Sequence, residues 1–286
     1  MRAARQLGAK HVASGLLPVG LLALLLSHMP APPPLWAEVQ ATGKLAPLDF
    51  PPPVPADNPQ TPAKIALGKQ LFFDPRLSGD NKTSCSTCHR PDKAFSDGRE
   101  RGQSPAGKDL GRSTPGLLNV AYLKSFFWDG RAGSLEDQAL KPLQSPAEMN
   151  QDLGELEKEL ADIPGYRQQF QDVFGHDPTA REVARALASF ERTLVAMNSP
   201  LDRYLRGDDK ALTEEQRNGL ELFLGDGGCI RCHNGPLLSD GKFYRLGLPA
   251  RGALGEDPGR GKITGLARER GAFRVPTLRN VALTSP

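Results

Sequence analysis

Apolar residues recur at helical spacing in three parts of the chain, and each part begins with residues that can cap a helix. The capping residues are Thr61 followed by Pro62, Thr179 with Glu182, and Thr213 with Gln216. The apolar residues behind them are Ile65, Leu71 and Phe72, then Val183, Leu187, Phe190 and Leu194, and finally Leu220 and Phe223. The pattern predicts three helices, of which the second covers residues 179–195 and the third ends at Gly225.

Strand patterns are scarce along the same chain. No sustained period-two run of β-branched residues occurs, and the sequence contains 26 prolines and 30 glycines. Two long Gly-rich passages, residues 97–111 and 234–271, are expected to wrap around another object rather than to form a core of their own. The fold class predicted from the pattern is mainly α with little β structure.

Two sequence patterns occur twice, in the same order. "GKQLFF" (residues 68–73) is echoed by "GLELFL" (219–224), and "PGLLNVA" (115–121) by "PTLRNVA" (276–282). Because order and spacing agree, one unit is used twice. Only four residues follow the second copy, so the second unit is expected to be truncated.

The N-terminal residues have the features of an export signal. Arg2, Arg5 and Lys10 precede the apolar run "GLLPVGLLALLL", which predicts a cleavable signal peptide over residues 1–37, with an uncleaved anchor as the alternative. A Pro-rich leader is predicted over residues 38–60. Cleavage would leave 33 basic and 33 acidic side chains, a balance that points to neither nucleic acid nor anionic lipid as partner. The mature protein is expected to be periplasmic.

Every cysteine of the chain belongs to a C-x-x-C-H motif. The first motif is Cys85, Cys88 and His89, and the second is Cys229, Cys232 and His233. This motif is typical of c-type haem attachment, in which the cysteines hold the porphyrin as thioethers and the histidine is the proximal iron ligand. Two covalently bound c-type haems are therefore predicted.

Two other uses of such cysteines fit the sequence less well. A zinc site made of two C-x-x-C knuckles usually has them about 15–20 residues apart, whereas about 140 residues intervene here, and zinc would leave both histidines unexplained. A thioredoxin-like redox pair would need a βαβ pattern, which is not visible. We expect two cytochrome-c-like haem domains in tandem, over residues 61–200 and 201–286.

Over residues 67–286 the chain resembles the bacterial di-haem cytochrome c peroxidase family, which includes the di-haem enzymes of the methylamine utilisation (MauG) group. The resemblance is carried by "LFFDPRLSG", by "FFWDGRAGSLEDQALKPLQSPAEMN" (residues 126–150), by the second C-x-x-C-H and by "VPTLRNVALTSP" at the end. It implies that the first haem is peroxidatic and that the second collects electrons.

The resemblance also implies residue roles. The tryptophan between the haems corresponds to Trp128, and the distal glutamine, proline and glutamate correspond to Gln138, Pro142 and Glu148. These roles agree with chemistry, because a carboxylate can move a proton between the two oxygens of peroxide while an amide orients it without titrating.

Each of these residues also has a structural explanation. Glu148 lies three residues after Ser145, with Pro146 between them, which could be a capping box that starts a helix. Trp128 could be an ordinary buried aromatic residue, and Gln138 and Pro142 could be surface residues.

Histidines are few. Beyond the two proximal ligands, His11 and His28 lie in the leader and His176 is predicted to be a solvated loop residue. The resemblance implies that peroxidases needing reductive activation carry a distal histidine after the first motif, and residues 90–127 contain none. We expect the first haem to be five-coordinate or water-bound at rest, without reductive activation.

A calcium ion between the domains is a further implication of the resemblance. The two carbonyl ligands would come from Thr284 and Pro286, and the asparagine ligand position is taken by Ser113. A serine hydroxyl is a weaker ligand for a hard cation than an amide carbonyl, so calcium is less securely predicted than haem.

The leading functional hypothesis is a periplasmic peroxidase that reduces hydrogen peroxide to water with electrons from a small cytochrome c or copper protein. One alternative is a MauG-type oxidase that acts on a partner protein. The other is a non-enzymatic electron-transfer cytochrome, which would require closed irons, for example through Met149. Homodimer formation is left open by the sequence.

Overall fold

The computed structural model describes residues 33–247 and 257–284. Most of the predicted signal peptide, including His11 and His28, lies outside the described residues, as does Pro286. The α-helices are α1 (Leu35–Thr42), α2 (Pro62–Phe73), α3 (Cys85–Cys88), α4 (Leu135–Gln144), α5 (Leu153–Asp162), α6 (Pro164–Phe174), α7 (Ala180–Glu191), α8 (Pro200–Leu205), α9 (Glu214–Leu224) and α10 (Gly261–Thr264).

Short 3₁₀ turns connect several helices, and the only sheet within the described residues has two strands. Strands β1 (Phe243–Tyr244) and β2 (Phe273–Arg274) pair antiparallel, with Phe243 opposite Arg274 and Tyr244 opposite Phe273. The prediction of a mainly α fold with little β structure is confirmed. No helix within the described ranges is long and apolar enough to cross a membrane.

The three capped helices of the sequence pattern are present. Thr61 accepts a hydrogen bond from the Lys64 amide, Thr179 caps α7, and Thr213 forms a capping box with Gln216. Helix α7 ends at Glu191, however, four residues before the predicted end. The reason is tertiary, because residues 194–196 leave the helix to hydrogen-bond with Asn119.

The larger hydrophobic core belongs to the first unit. Helix α2 crosses α7 closely: a Cβ placed on Gly68 would lie 1.8 Å from the Ala186 carbonyl oxygen. Leu71 and Phe72 of α2 and Leu187 of α7 are fully or almost fully buried in this core, and α4, α5 and α6 surround it. The helix that precedes the first C-x-x-C-H motif is therefore held rigidly.

The second unit has a smaller core with an unexpected contributor. Val39 of α1 and Leu45 pack with Tyr204 and Leu205 of α8 and with Leu220 of α9. Residues 35–45, predicted to be the end of a signal peptide and part of a Pro-rich leader, thus supply apolar side chains to the C-terminal unit. Hydrophobic spacing could not reveal this, because the packing partners of Val39 and Leu45 lie more than 150 residues further along the chain.

Candidate haem sites and distal group

The first C-x-x-C-H motif forms a single helical turn, α3, that begins after Ser84. The His89 Nδ1 atom lies 2.9 Å from the Phe95 carbonyl oxygen. Phe95 reaches this position through a left-handed backbone conformation, with φ of +58°, and Ala94 before it has φ of +53°. Two such residues in succession are uncommon outside glycine, so the loop is shaped to orient the imidazole.

The second motif repeats this arrangement. His233 Nδ1 lies 3.0 Å from the Leu238 carbonyl oxygen, and Leu238 has φ of +51°. Cys229 follows Gly228, which is also left-handed, and begins a 3₁₀ turn. Both histidines are therefore oriented by the carbonyl of a residue with positive φ a few positions downstream.

The donor set at both motifs fits a haem iron. A carbonyl oxygen only accepts hydrogen bonds, so each Nδ1 carries the proton and each Nε2 keeps the lone pair that ligates a metal. Burial lowers the pKa of His89, which keeps its imidazole neutral as ligation requires. All four cysteines are free thiols, as thioether formation needs. In the described part of the chain, no group of three or more His, Cys, Asp or Glu side chains could hold a metal ion.

Two carboxylates, one buried and one half-buried, affect the pKa values of the thiols of the first motif. Burial raises the pKa of Cys85 to about 12, and the negative charge of Glu191 contributes to this rise. Burial also raises the pKa of Cys88, and the charge of Glu148 raises it further. Glu148 and Glu191 therefore both lie near the first haem attachment site, although they come from different parts of the chain.

Helix α4 carries Gln138 and Pro142 one turn apart on the same face. Both residues are half-buried. Proline has no N–H, so the Gln138 carbonyl lacks the helical donor that residue 142 would otherwise supply. Neither Gln138 nor Pro142 is therefore an exposed surface residue.

Glu148 lies in a turn directly after α4. The Glu148 amide donates to the Ser145 carbonyl at 2.9 Å, and the Met149 amide donates to the Pro142 carbonyl at 3.2 Å. No helix begins here: Ser145 is the C-cap of α4, and the next helix starts after Asp152. The capping-box explanation of Glu148 is therefore wrong, and the turn instead holds its carboxylate beside α4 and Cys88.

Met149 is buried within the hydrophobic core of the first unit, where apolar packing accounts for it. His176 is exposed, as predicted, and its Nδ1 lies 2.8 Å from the Asp177 carbonyl oxygen.

Trp128 lies where the two units meet. Its indole Nε1–H donates to the Ser113 carbonyl at 2.9 Å, and its own carbonyl accepts from the Arg274 amide of β2 at 2.8 Å. The side chain is half-buried, so it is not an ordinary core aromatic. The backbone of Trp128 thus belongs to the contact between the first unit and the second.

Ion pairs surround this junction. Arg112 bonds to Asp129 of the first unit at 2.7 Å and to Asp257 of the second unit at 2.7 Å. The Arg260 guanidinium donates to the Asp129 carbonyl at 3.1 Å and lies over the Phe243 ring. These contacts hold the two units in one arrangement around Trp128.

Of the predicted calcium ligands, Ser113 is half-buried and its carbonyl is occupied by the Trp128 indole. Thr284 approaches the first unit, since a Cβ on Gly116 would lie 2.9 Å from its Cγ2. Pro286 lies outside the described residues. The calcium site stays a prediction.

Two buried charged residues near the site were not predicted from the sequence. Glu191, near Cys85, has a carboxyl oxygen without a hydrogen-bond partner, and burial raises its pKa to about 8. Arg274, beside Trp128, is buried as well. Neither stands out in the sequence, except that Arg274 and Ser113 both lie two residues before the repeated proline.

The sequence matches the family described as "Di-haem cytochrome c peroxidase" over residues 62–210. The chain is 43% identical over 238 residues to the methylamine utilization protein MauG of Methylorubrum extorquens, an alignment covering 82% of this chain and 66% of that protein. It is 39% identical over 272 residues to the cytochrome-c peroxidase IdrP1 of a Pseudomonas species, covering 85% of this chain and 72% of that protein.

Among solved structures, the fold is similar to a MauG-like protein associated with microbial copper homeostasis. The TM-score is 0.75 at 32% identity, and the match covers 83% of this chain and 75% of that chain. The chain therefore spans about two thirds to three quarters of the length of these relatives.

Proposed function

The chain belongs to the di-haem cytochrome c peroxidase family, and on that premise we propose that it reduces hydrogen peroxide to water at the haem held by Cys85, Cys88 and His89. The family is di-haem, and the second C-x-x-C-H motif attaches the other haem. Each turnover consumes one peroxide, two protons and two electrons and releases two waters.

One observation carries the proposal: Glu148 is held by a hydrogen-bonded turn next to the first attachment motif, at the end of the helix that presents Gln138 and Pro142. Its charge raises the pKa of Cys88, so the carboxylate is near the place where the first haem is attached. A simple electron carrier has no use for a half-buried carboxylate and amide at this place.

When bound, the haem supplies a redox-active iron that can bind an oxygen of peroxide. The Glu148 carboxylate accepts the proton of the inner peroxide oxygen and returns it to the outer oxygen, which then leaves as water. The Gln138 amide orients peroxide by hydrogen bonding without changing its own charge. Pro142 adds an apolar ring beside Gln138 that limits the space for water.

The haem held by Cys229, Cys232 and His233 would supply electrons to the first haem. Trp128 is the aromatic side chain at the junction, and its hydrogen bonds to Ser113 and Arg274 connect it to both units. We propose that it is the stepping stone between the haems. The donor to the second haem is a small reduced cytochrome c or copper protein.

Stopped-flow mixing of the haem-loaded protein with hydrogen peroxide and then with a reduced small cytochrome c tests the proposal. Rapid reoxidation of the cytochrome is expected. Glu148→Gln should lower turnover by about 10²–10⁴-fold, because proton transfer by a positioned group contributes that much. Glu155→Gln is the matched control, since Glu155 is an exposed glutamate paired with Lys158 on α5, and its turnover should stay within about twofold.

Other outcomes decide against the proposal. Turnover of Glu148→Gln equal to that of the parent would remove Glu148 from the reaction. A protein that stays oxidised after peroxide without oxidising the cytochrome would instead be a MauG-type oxidase, and a spectrum unchanged by peroxide would indicate an electron-transfer cytochrome.

The setting of the enzyme is part of the same proposal. We place the mature protein in the periplasm, because the N-terminal signal pattern and c-type haem attachment both belong to export. The absence of histidine from residues 90–127 supports a first haem that is open at rest. A calcium ion near Ser113 and Thr284 is also part of the proposal, because Thr284 lies against Gly116 of the first unit, close in sequence to Ser113.

A further inference from the structure

Among the residues that the structure describes, Arg274 is a buried cation without a counter-ion. Three arginines of the described residues are buried, and two of them pair with carboxylates: Arg192 with Glu136 and Arg279 with Asp202, each at 2.8 Å. Arg274 is only 8% exposed, and no described carboxylate lies within 4 Å of it. Its Nε has no hydrogen-bond partner, and its one side-chain bond is a weak one of 3.4 Å to the adjacent Val275 carbonyl.

Such an arrangement is costly unless an anion completes it. Removing a charged group from water costs several kcal/mol in real proteins, and a counter-ion with good hydrogen bonds offsets this cost. Burial lowers the pKa of Arg274, with no opposing influence from a neighbouring acid. The guanidinium would still be charged near neutral pH, so the missing anion must come from outside the described side chains.

The position of Arg274 identifies where that anion belongs. The residue begins the segment that holds the loop behind His233: the Ser239 hydroxyl donates to the Val275 carbonyl at 2.7 Å, and the Thr277 hydroxyl donates to the Leu237 carbonyl at 2.5 Å. This loop includes Leu238, whose carbonyl orients His233. Arg274 therefore lies between the proximal loop of the second haem and Trp128.

The internal repeat supports a role specific to the second unit. Arg274 and Ser113 occupy equivalent positions, two residues before the repeated proline, and both bond to Trp128. Ser113 bonds through its carbonyl to the indole, whereas Arg274 bonds through its amide to the Trp128 carbonyl. The second unit thus places a guanidinium where the first unit has a small neutral side chain.

We propose that Arg274 binds a propionate carboxylate of the haem attached to Cys229 and Cys232, and that this cation holds the second haem in a more easily reduced state. A haem brings two carboxylates into the fold, and the planar guanidinium is suited to bidentate carboxylate binding. A positive charge near the iron favours the ferrous form, which carries one positive charge fewer. The proposal rests on haem attachment at the second motif, but not on peroxidase turnover.

Spectroelectrochemical titration of the haem-loaded protein tests this role, with both haems counted first by their pyridine haemochrome. In Arg274→Gln, the ferrous-to-ferric ratio of the second haem at a fixed potential should fall at least about tenfold, which is about 59 mV for one electron. Arg274→Lys keeps the charge and should stay within about threefold of the parent. Arg260→Gln is the matched control, because Arg260 lies at the same junction but is paired with Glu269.

Resonance Raman spectra provide a readout that survives a poorly folding glutamine variant, since the propionate bending mode of the second haem should shift in Arg274→Lys. An unchanged potential in a folded Arg274→Gln variant with two haems would overturn the inference. A shift confined to the first haem, or an equal shift in Arg260→Gln, would overturn it as well. A protein with no haem at the second motif would instead contradict the proposed function.

Discussion

The helices that precede the two haem motifs have similar sequences and different surroundings. Gly68 of α2 and Gly219 of α9 occupy the same place in the repeat. A Cβ on Gly68 would collide with the Ala186 carbonyl of α7, whereas a Cβ on Gly219 would meet nothing within 4 Å among the described atoms. Leu71 and Phe72 are fully buried, while Leu222 at the corresponding end of α9 is 60% exposed.

This difference shows how one repeated motif serves two purposes. The first unit closes α4 to α7 around its haem motif and places Glu148 and Glu191 near it. The second unit is built from short elements, the α1 segment and a buried ion pair between Asp202 and Arg279. A closed scaffold suits proton transfer to a bound substrate, and an open one suits electron exchange with another protein.

The largest expected effect is on the buried ion pair of the second unit. Asp202 accepts both Arg279 Nη atoms, the Leu48 amide and Ser199, so it connects three parts of the chain. Asp202→Asn should lower the free energy of unfolding by about 3–5 kcal/mol at pH 7, because it leaves the Arg279 charge buried without a partner. Urea unfolding measures this change.

The pH dependence of that effect has a definite sign. Burial alone would raise the pKa of Asp202, but hydrogen bonds from Arg279, Leu48 and Ser199 lower it well below its usual value of 3.8. The stabilisation is present above that usual value and is lost as the pH falls through the folded pKa. The control Asp208→Asn, an exposed residue, should cost under about 1 kcal/mol, and equal costs would contradict the comparison.

The first unit should respond at the opposite end of the pH range. Burial raises the pKa of Glu191 to about 8 from 4.5, so its protonated form fits the folded state. The contribution of the Glu191 carboxyl to the free energy of unfolding is complete below pH 4.5 and is lost as the pH rises to about 8. Glu191→Gln should therefore stabilise the protein increasingly above pH 4.5, by on the order of 3 kcal/mol at pH 9.

Unfolding in urea at pH 4.5, 7 and 9 checks this expectation for Glu191→Gln. Glu221→Gln is the control, because Glu221 is an exposed glutamate on α9. A gain that does not change with pH would mean that the Glu191 carboxyl is not the source.

The smallest expected effects come from the repeated glycines, and they should have opposite signs. Gly68→Ala should cost about 1–3 kcal/mol, because α2 and α7 must separate to admit the methyl group. Gly219→Ala should stabilise by about 0.5–1 kcal/mol, since alanine is the better helix former at an open position. Thermal unfolding of the two variants measures both changes in stability. Changes of the same sign would contradict the difference in packing between α2 and α9.

Sequence patterns predicted the local elements of this protein well. The capped helices α2, α7 and α9 depend on neighbouring residues, and so do the C-x-x-C-H turns. The end of α7 and the packing of α1 depend on Asn119 and on α8, which are distant in sequence. The sequence around Glu148 allows a helix start that the structure does not contain, because Ser145 with Glu148 matches a capping box when tertiary contacts are ignored.

By itself, the sequence determined the covalent chemistry: the thiols and imidazoles available for two haems, and the duplication that sets them in equivalent loops. Only the tertiary structure decided that Glu148 and Glu191 converge on the first motif, that Trp128 joins the units, and that Arg274 is buried without a carboxylate partner among the described residues. The physical reason is range. Caps and thioether motifs act over a few residues, whereas burial and charge act through space between segments that are far apart in the chain.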